Sequence, residues 1–248
     1  MPNINLNRYS NIRPYQDNIV RINSKNKYIN ASWVHLPEKY YFIATQGPLD
    51  TTIEDFWEMI FGYNVNVIVM LCQLQENNRV KCADYWDSQK VQNYKLTKLS
   101  EFEMIEGIIL RNFEINKPGY IFPKTTIQLH YTCWEDHSVP DEQSYLKLVE
   151  LIKMTHFLKV TNTPVVVHCS AGVGRTGTFI SLYNLYYGIP KQLQNNYSNV
   201  IRFSVMDLVR KLKEMRLRLV ENEKQYIFLY QFVNIFLNQN NSLTVLNK

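Results

Sequence analysis

Two rhythms of apolar and polar positions run along this chain. Short runs dense in aliphatic and β-branched residues predict strands at Val65–Leu71, Gly107–Ile115, Thr126–Cys133 and Pro164–His168. Longer stretches predict helices at Thr51–Gly62, Asp141–Leu158, Arg175–Tyr187, Val205–Leu217 and Glu223–Leu237; the last four carry apolar residues every three or four positions. Asp50-Thr51-Thr52 offers oxygens to cap the first helix, and Pro140-Asp141-Glu142 places acids at the positive end of the second. The elements do not alternate strictly, so the expected fold is α/β in the broad sense (α+β), a twisted mixed sheet flanked by helices. No linker-like stretch or solenoid repeat interrupts the pattern. Residues 1–240 are expected to form one domain, with 241–248 a polar tail.

Composition narrows the class. The chain has 248 residues, enough for a full core, and 13% aromatic residues with 20% charged residues exclude a disordered chain. No apolar run reaches the ~20 residues of a membrane span, and Met1-Pro2-Asn3-Ile4-Asn5 lacks a signal-peptide pattern. A soluble, cytoplasmic protein is expected, unless it is exported by a route the sequence does not show. The net charge of +5 suits an anionic ligand without choosing among phosphate, acidic peptide and nucleic acid. Cys72, Cys82, Cys133 and Cys169 form no disulfide framework or C-x-x-C pair. With no H-E-x-x-H either, no metal site and no cofactor are expected.

One segment carries chemistry. In Val165-Val166-Val167-His168-Cys169-Ser170-Ala171-Gly172-Val173-Gly174-Arg175-Thr176-Gly177, a buried strand ends at a cysteine, a glycine-bearing loop follows, and an arginine opens a helix. Such a turn makes an anion cradle from successive N–H groups and a helix N-terminus. The same field stabilises a thiolate at Cys169. The Arg175 fork can grip two oxygens of a phosphoryl group. Gly172-x-Gly174-x-x-Gly177 also matches a dinucleotide fingerprint in form, but it lies late in the chain and no acid follows at the required distance. A Walker loop would need a Gly-Lys-Ser/Thr ending, which is absent. A merely structural cysteine leaves the loop of small residues and the arginine unexplained.

His168 through Gly177 resembles the H-C-x-x-G-x-x-R-[ST] signature of the protein tyrosine phosphatase family, matched in full. The resemblance continues through Asn7-Arg8-Tyr9, Tyr28-Ile29-Asn30-Ala31-Ser32, Tyr41 to Leu49, Asp55-Phe56-Trp57 and Lys81 to Trp86. It extends to Trp134-Glu135-Asp136-His137-Ser138-Val139-Pro140 and Gln225 to Tyr230. The size is similar to that of stripped-down members encoded by some large DNA viruses of insects. The resemblance implies the cysteine-phosphatase fold and hydrolysis of phosphotyrosine through a cysteinyl phosphate. Cys169 would attack, while Arg175 and the N–H groups of Ser170, Ala171, Gly172, Val173 and Gly174 hold the oxygens. Asp136 would act as general acid and then base, and Thr176 would donate to the thiolate. His168 would fix the loop, Trp134 anchor the acid loop, and Tyr9 stack on the substrate ring in a slot too deep for phosphoserine. Glu76 would orient Arg175 and Lys81 approach the acid loop; for both, a solvated charge is the competing reading.

Four positions depart from the family pattern. Glu135 replaces a proline, which should loosen the acid loop and disfavour the ionised form of Asp136. Glu221 stands where a glutamine would position water, with Gln225 as a partial substitute. Asn11 replaces the aspartate that would hold the substrate backbone, and Arg218 replaces a small residue at the rim. Three functions therefore compete: an active tyrosine phosphatase, a phosphotyrosine-binding or trapping module with little turnover, and a phosphatase of non-protein phosphates. The first is favoured, with phosphotyrosine proteins as partners, nucleic acid disfavoured, and the oligomeric state open with a monomer favoured.

Overall fold

The computed structural model describes residues 3–22, 27–36, 40–135, 138–194 and 203–239. The strands are β1 (Ile19–Ile22), β2 (Lys27–Leu36), β3 (Tyr40–Thr45), β4 (Val67–Met70), β5 (Gln75–Glu76), β6 (Arg79–Val80), β7 (Lys95–Ile105), β8 (Ile108–Asn116), β9 (Lys124–Tyr131) and β10 (Val165–His168). The helices are α1 (Ile53–Gly62), α2 (Glu142–Leu158), α3 (Gly174–Gln194), α4 (Val205–Met215) and α5 (Glu223–Gln239). Among the described residues one eight-stranded sheet runs β1-β2-β3-β10-β4-β9-β8-β7, and β5-β6 forms a separate ribbon. The fold is α/β, a mixed sheet flanked by helices.

β10 lies between β3 and β4, parallel to both, and β9 adds a further parallel strand beside β4. Val165–His168 and Val67–Met70 are buried at every position, as strands covered on both faces must be. The outer pairs are antiparallel. Beside the centre, Phe56, Trp57, Tyr85 and Phe113 pack edge-on, and Trp57 donates its indole N–H to the Tyr85 carbonyl at 2.7 Å. The carboxyl end of the central strand is where a parallel sheet opens a crevice for ligands.

Every predicted strand and helix is present, with edges moved by a few residues. Asp141 caps α2 as expected, accepting from Ser144 N at 2.9 Å. The first helix differs: Asp50 gives no cap, and Thr52 Oγ1 instead accepts from Leu49 N across a short 3-10 turn. α3 outruns its expected end at Tyr187 because buried Ile189 keeps the next turn on the core. Four sheet strands were not predicted: β1, β2, β3 and β7. β7 is an edge strand of alternating charged and apolar residues, mostly exposed, so burial gives it no apolar run. In β2, Asn30 and Ser32 are buried because they bond to other segments, which hides the strand's apolar face. The expected tail, 241–248, lies outside the described residues.

Two histidines in the sheet stay neutral. Burial pushes His130 down to about 4, with Arg111 adding to the effect, and burial pushes His168 down to about 3. In the unfolded chain both rings protonate below about 6.5. Stability present at neutral pH is therefore lost on acidification below that value, by up to about 1.4 kcal/mol per pH unit for each ring. Urea midpoints at about pH 7 and about pH 5 should show the loss; equal midpoints would contradict it.

Candidate active site

The loop after β10 is held from outside by its carbonyls. Ser170 O accepts from Gly47 N at 2.9 Å, Ala171 O from Arg216 Nη2 at 3.1 Å, and Gly172 O from Arg216 Nε at 2.8 Å. With these carbonyls turned out, the N–H groups between them turn inward. Gly172 takes φ 70°, and a Cβ there would stand 2.1 Å from Thr45 O, so only glycine fits. Arg216 is fully buried and also reaches Ser32 Oγ at 3.1 Å and Asn30 Oδ1 at 2.8 Å. Burial lowers Arg216 to about 10, against the opposing pull of Cys169 and Tyr28, so it remains a cation at neutral pH.

The loop forms the base of a cavity of about 150 Å³, a volume on the scale of one aromatic ring. Cys169, Ser170, Ala171, Gly174 and Arg175 line its floor. Tyr9, Asn11 and Ile12 form one wall, and Arg218, Glu221 and Gln225 the other. Tyr9 shares a 3.0 Å hydrogen bond with Ser170 Oγ. Arg8 fastens that wall by donating to the carbonyls of Gly47, Pro48 and Val80.

Arg175 is gripped from behind by a bidentate pair with Glu76, 2.7 and 3.0 Å, and also donates to Trp134 O at 2.9 Å. Burial opposes its charge, but the Glu76 bond and the fields of Cys169 and Cys72 push it above its already high value. The expected Glu76–Arg175 contact is therefore formed. Trp134 is buried and donates to Ser138 O, while Ser138 N and Oγ both donate to Glu135 O. Asp136, the expected acid, lies outside the described residues. His168 Nδ1 contacts Cys169 O at 3.2 Å and its Nε2 contacts Tyr85 Oη at 2.9 Å, a loop-fixing arrangement. Lys81 is buried and does not line the cavity.

One expectation, that for Thr176, is corrected. Thr176 Oγ1 is buried with no hydrogen-bond partner among the described residues, so no bond to Cys169 is formed. Val173 has a buried side chain, so its expected part is confined to its backbone N–H, and its carbonyl accepts from Gly177 N and Val220 N. Gly172 shapes the loop without lining the cavity. The residue that sequence reasoning missed is Arg216. Its only local signal is an arginine closing an amphipathic helix, which ordinarily reads as solvated.

Glu221 Oε1 pairs with Arg218 Nη2 at 3.3 Å, and its Oε2 would lie 3.2 Å from a Cβ on Gly174. Glu221 N donates to Gln225 Oε1 at 3.0 Å. Two of the four departures from the family pattern, Arg218 and Glu221, thus meet on one wall. Among the described residues, no three His, Cys, Asp or Glu side chains gather as a metal site would require.

Known proteins resemble this chain in sequence and fold. The sequence matches the family pattern described as protein-tyrosine phosphatase over residues 3–234. This chain belongs to the protein-tyrosine phosphatase family. It is 34% identical over 235 residues to human tyrosine-protein phosphatase non-receptor type 20, covering 92% of this chain and 53% of that protein. It is 38% identical to human receptor-type tyrosine-protein phosphatase eta over 92% of this chain and 17% of that one. This chain thus spans about half the length of the first of these relatives and a smaller part of the second. The solved catalytic domain of human protein tyrosine phosphatase non-receptor type 18 superposes with a TM-score of 0.83 at 31% identity, covering 95% of this chain and 86% of that one. A complex of PTPN18 with HER2-pY1196 phosphopeptides gives 0.85 at 29% identity, covering 96% and 84%.

Replacing Arg216 by Met should cost about 3 kcal/mol or more, because several buried acceptors lose their donor together. The urea unfolding midpoint measures it; a midpoint within error of wild type would show that the loop does not depend on this cation.

Proposed function

We propose that this chain hydrolyses phosphotyrosine in proteins through a cysteinyl-phosphate intermediate. The observation that carries the reading is Cys169 at the floor of an aryl-sized cavity, beside an Arg175 fixed by Glu76. The ring enters between Tyr9 and the opposite wall, and the phosphoryl oxygens meet the loop N–H groups and Arg175. Cys169 Sγ bonds to phosphorus as the tyrosyl C–O–P bridge breaks at phosphorus, and Asp136 gives its proton to the departing phenolate. Water then attacks phosphorus, passing a proton to Asp136 and returning the thiolate with inorganic phosphate. Removing a single donor to such developing charge typically costs about 3–4 kcal/mol of barrier. The solved PTPN18–phosphopeptide complex supports phosphotyrosine as the substrate class. No described helix is long and apolar enough to cross a membrane.

Turnover of a phosphotyrosyl peptide, a phosphoseryl peptide and a triphosphate-ended RNA, each with Cys169→Ser as control, tests the reading. Only the phosphotyrosyl peptide should be hydrolysed, and only with Cys169 present. Binding without turnover, or activity on RNA alone, overturns it.

Glu221 places a carboxylate oxygen against Gly174, where a phosphorylated Cys169 would sit nearby, and like charges there slow the second step. Hydrolysis of the intermediate should therefore limit the rate. Rapid quench on an aryl phosphate should show a burst of phenol in the wild type, and Glu221→Gln should raise the steady rate severalfold. A wild type without a burst contradicts this.

A further inference from the structure

Behind the loop, on the side away from the cavity, a line of buried polar side chains crosses the sheet. Arg111 on β8 and Gln128 on β9 are cross-strand partners, and Arg111 Nη1 donates to Gln128 Oε1 at 2.7 Å. Gln128 Nε2 donates to Tyr85 Oη at 2.5 Å, and Tyr85 Oη lies 2.9 Å from His168 Nε2. His168 Nδ1 then contacts Cys169 O at 3.2 Å. Gln128, Tyr85 and His168 have no solvent exposure, and Arg111 is nearly enclosed. Trp86 covers the guanidinium at 4.4 Å, while the exposed edge of Arg111 faces Glu101 Oε1 at 3.2 Å.

Donor and acceptor chemistry gives this line a single direction. Arg111 can only donate, so Gln128 must present its oxygen to Arg111 and its amide N–H to Tyr85. Tyr85, accepting from Gln128, has two acceptors for its own proton, and His168 Nε2 at 2.9 Å is nearer and stronger than Met70 Sδ at 3.8 Å. The neutral ring then carries its proton on Nδ1 and gives it to the Cys169 carbonyl. A branch repeats the polarity: Arg111 Nη1 meets His130 Nδ1 at 3.2 Å, so His130 Nε2–H donates to Cys72 O at 2.8 Å. Every proton points toward the end of the sheet that holds Cys169, and a cation stands at the origin.

We propose that Arg111, Gln128 and Tyr85 are positioning residues that act through His168, forming a directed hydrogen-bond chain that polarises the Cys169 peptide and stabilises its thiolate from behind. The chain rests on the reading of Cys169 as the nucleophile and supplies a second source of positive potential for it. Bonds in series in a low-dielectric interior polarise one another, so the effect belongs to the whole line. Other charges face Cys169 too: Arg175 from α3, Arg216 after α4, and Arg218 with Glu221 before α5. Glu76 reaches it only through Arg175, and Tyr9 and Cys72 are the neighbouring neutral titratable groups. The chain differs from all of these in entering through the backbone.

Iodoacetamide alkylation of Cys169, followed by mass spectrometry of its peptide, reads the thiolate independently of phosphatase turnover. At about pH 6, Tyr85→Phe and Arg111→Met should each slow alkylation roughly threefold. Gln128→Glu keeps the shape but accepts from both neighbours, turning Tyr85 away from His168, and should slow it at least as much. At about pH 9, where a free thiol is already largely ionised, all variants should match the wild type. The double variant Arg111→Met/Tyr85→Phe should be no slower than Tyr85→Phe alone, because one broken link interrupts the line. Wild-type alkylation of Gln128→Glu at pH 6, or equal slowing at both pH values, overturns the proposal. If this pattern holds while phosphotyrosyl peptide is not turned over, the directed chain stands and the proposed reaction falls.

Discussion

The cradle depends on where the carbonyls of a five-residue turn are held. A loop between a strand and a helix can aim its N–H groups at a ligand only if its oxygens are satisfied on the opposite side. Arg216 meets two of those oxygens and Gly47 a third. Because Arg216 also bonds Asn30 and Ser32, the turn is referenced to β2 as well as to its own strand. A neutral residue could not serve several acceptors from one planar group in this way. Its burial leaves it a cation, so the same side chain adds positive potential beneath Cys169.

Charge in the site is arranged in layers. Arg175 faces the cavity and is fixed from behind by the bidentate Glu76 pair, which prevents a buried guanidinium from standing unpaired. Trp134 O accepts from that same guanidinium. At the rim the balance differs: Arg218 pairs with one carboxylate oxygen of Glu221 across a partly exposed contact, while the other oxygen stands against Gly174. Each alone would alter the field over the cavity, so these two of the four departures from the family pattern form one electrostatic unit. Such a pair near solvent contributes little to stability. Its consequence lies in the charge presented to a ligand.

Legibility varied with distance along the chain. The cysteine, the loop glycines and Arg175 fall within seven consecutive residues, and their chemistry follows from local geometry: strand end, tight turn, helix start. Runs such as Val165–His168 and Val67–Met70 were equally plain, because a strand buried on both faces is apolar throughout. β7 escaped because an exposed edge strand carries charges in place of an apolar face. Asp50 looked like a cap, yet a short 3-10 turn moved the helix start beyond it. Thr176 matched the signature while its hydroxyl has no partner among the described residues.

By itself, then, the amino-acid order determined a cysteine-bearing anion cradle on a mixed α/β frame, since those features arise from residues adjacent in sequence. Tertiary structure decided which distant groups complete it. Glu76 meets Arg175 across 99 positions, Arg216 meets the loop across 44, and Arg111 reaches His168 only through Gln128 and Tyr85. Buried polar and charged side chains are stable only where matching donors and acceptors converge. Periodicity records which residues are buried, but only the packed sheet decides which polar groups are buried together.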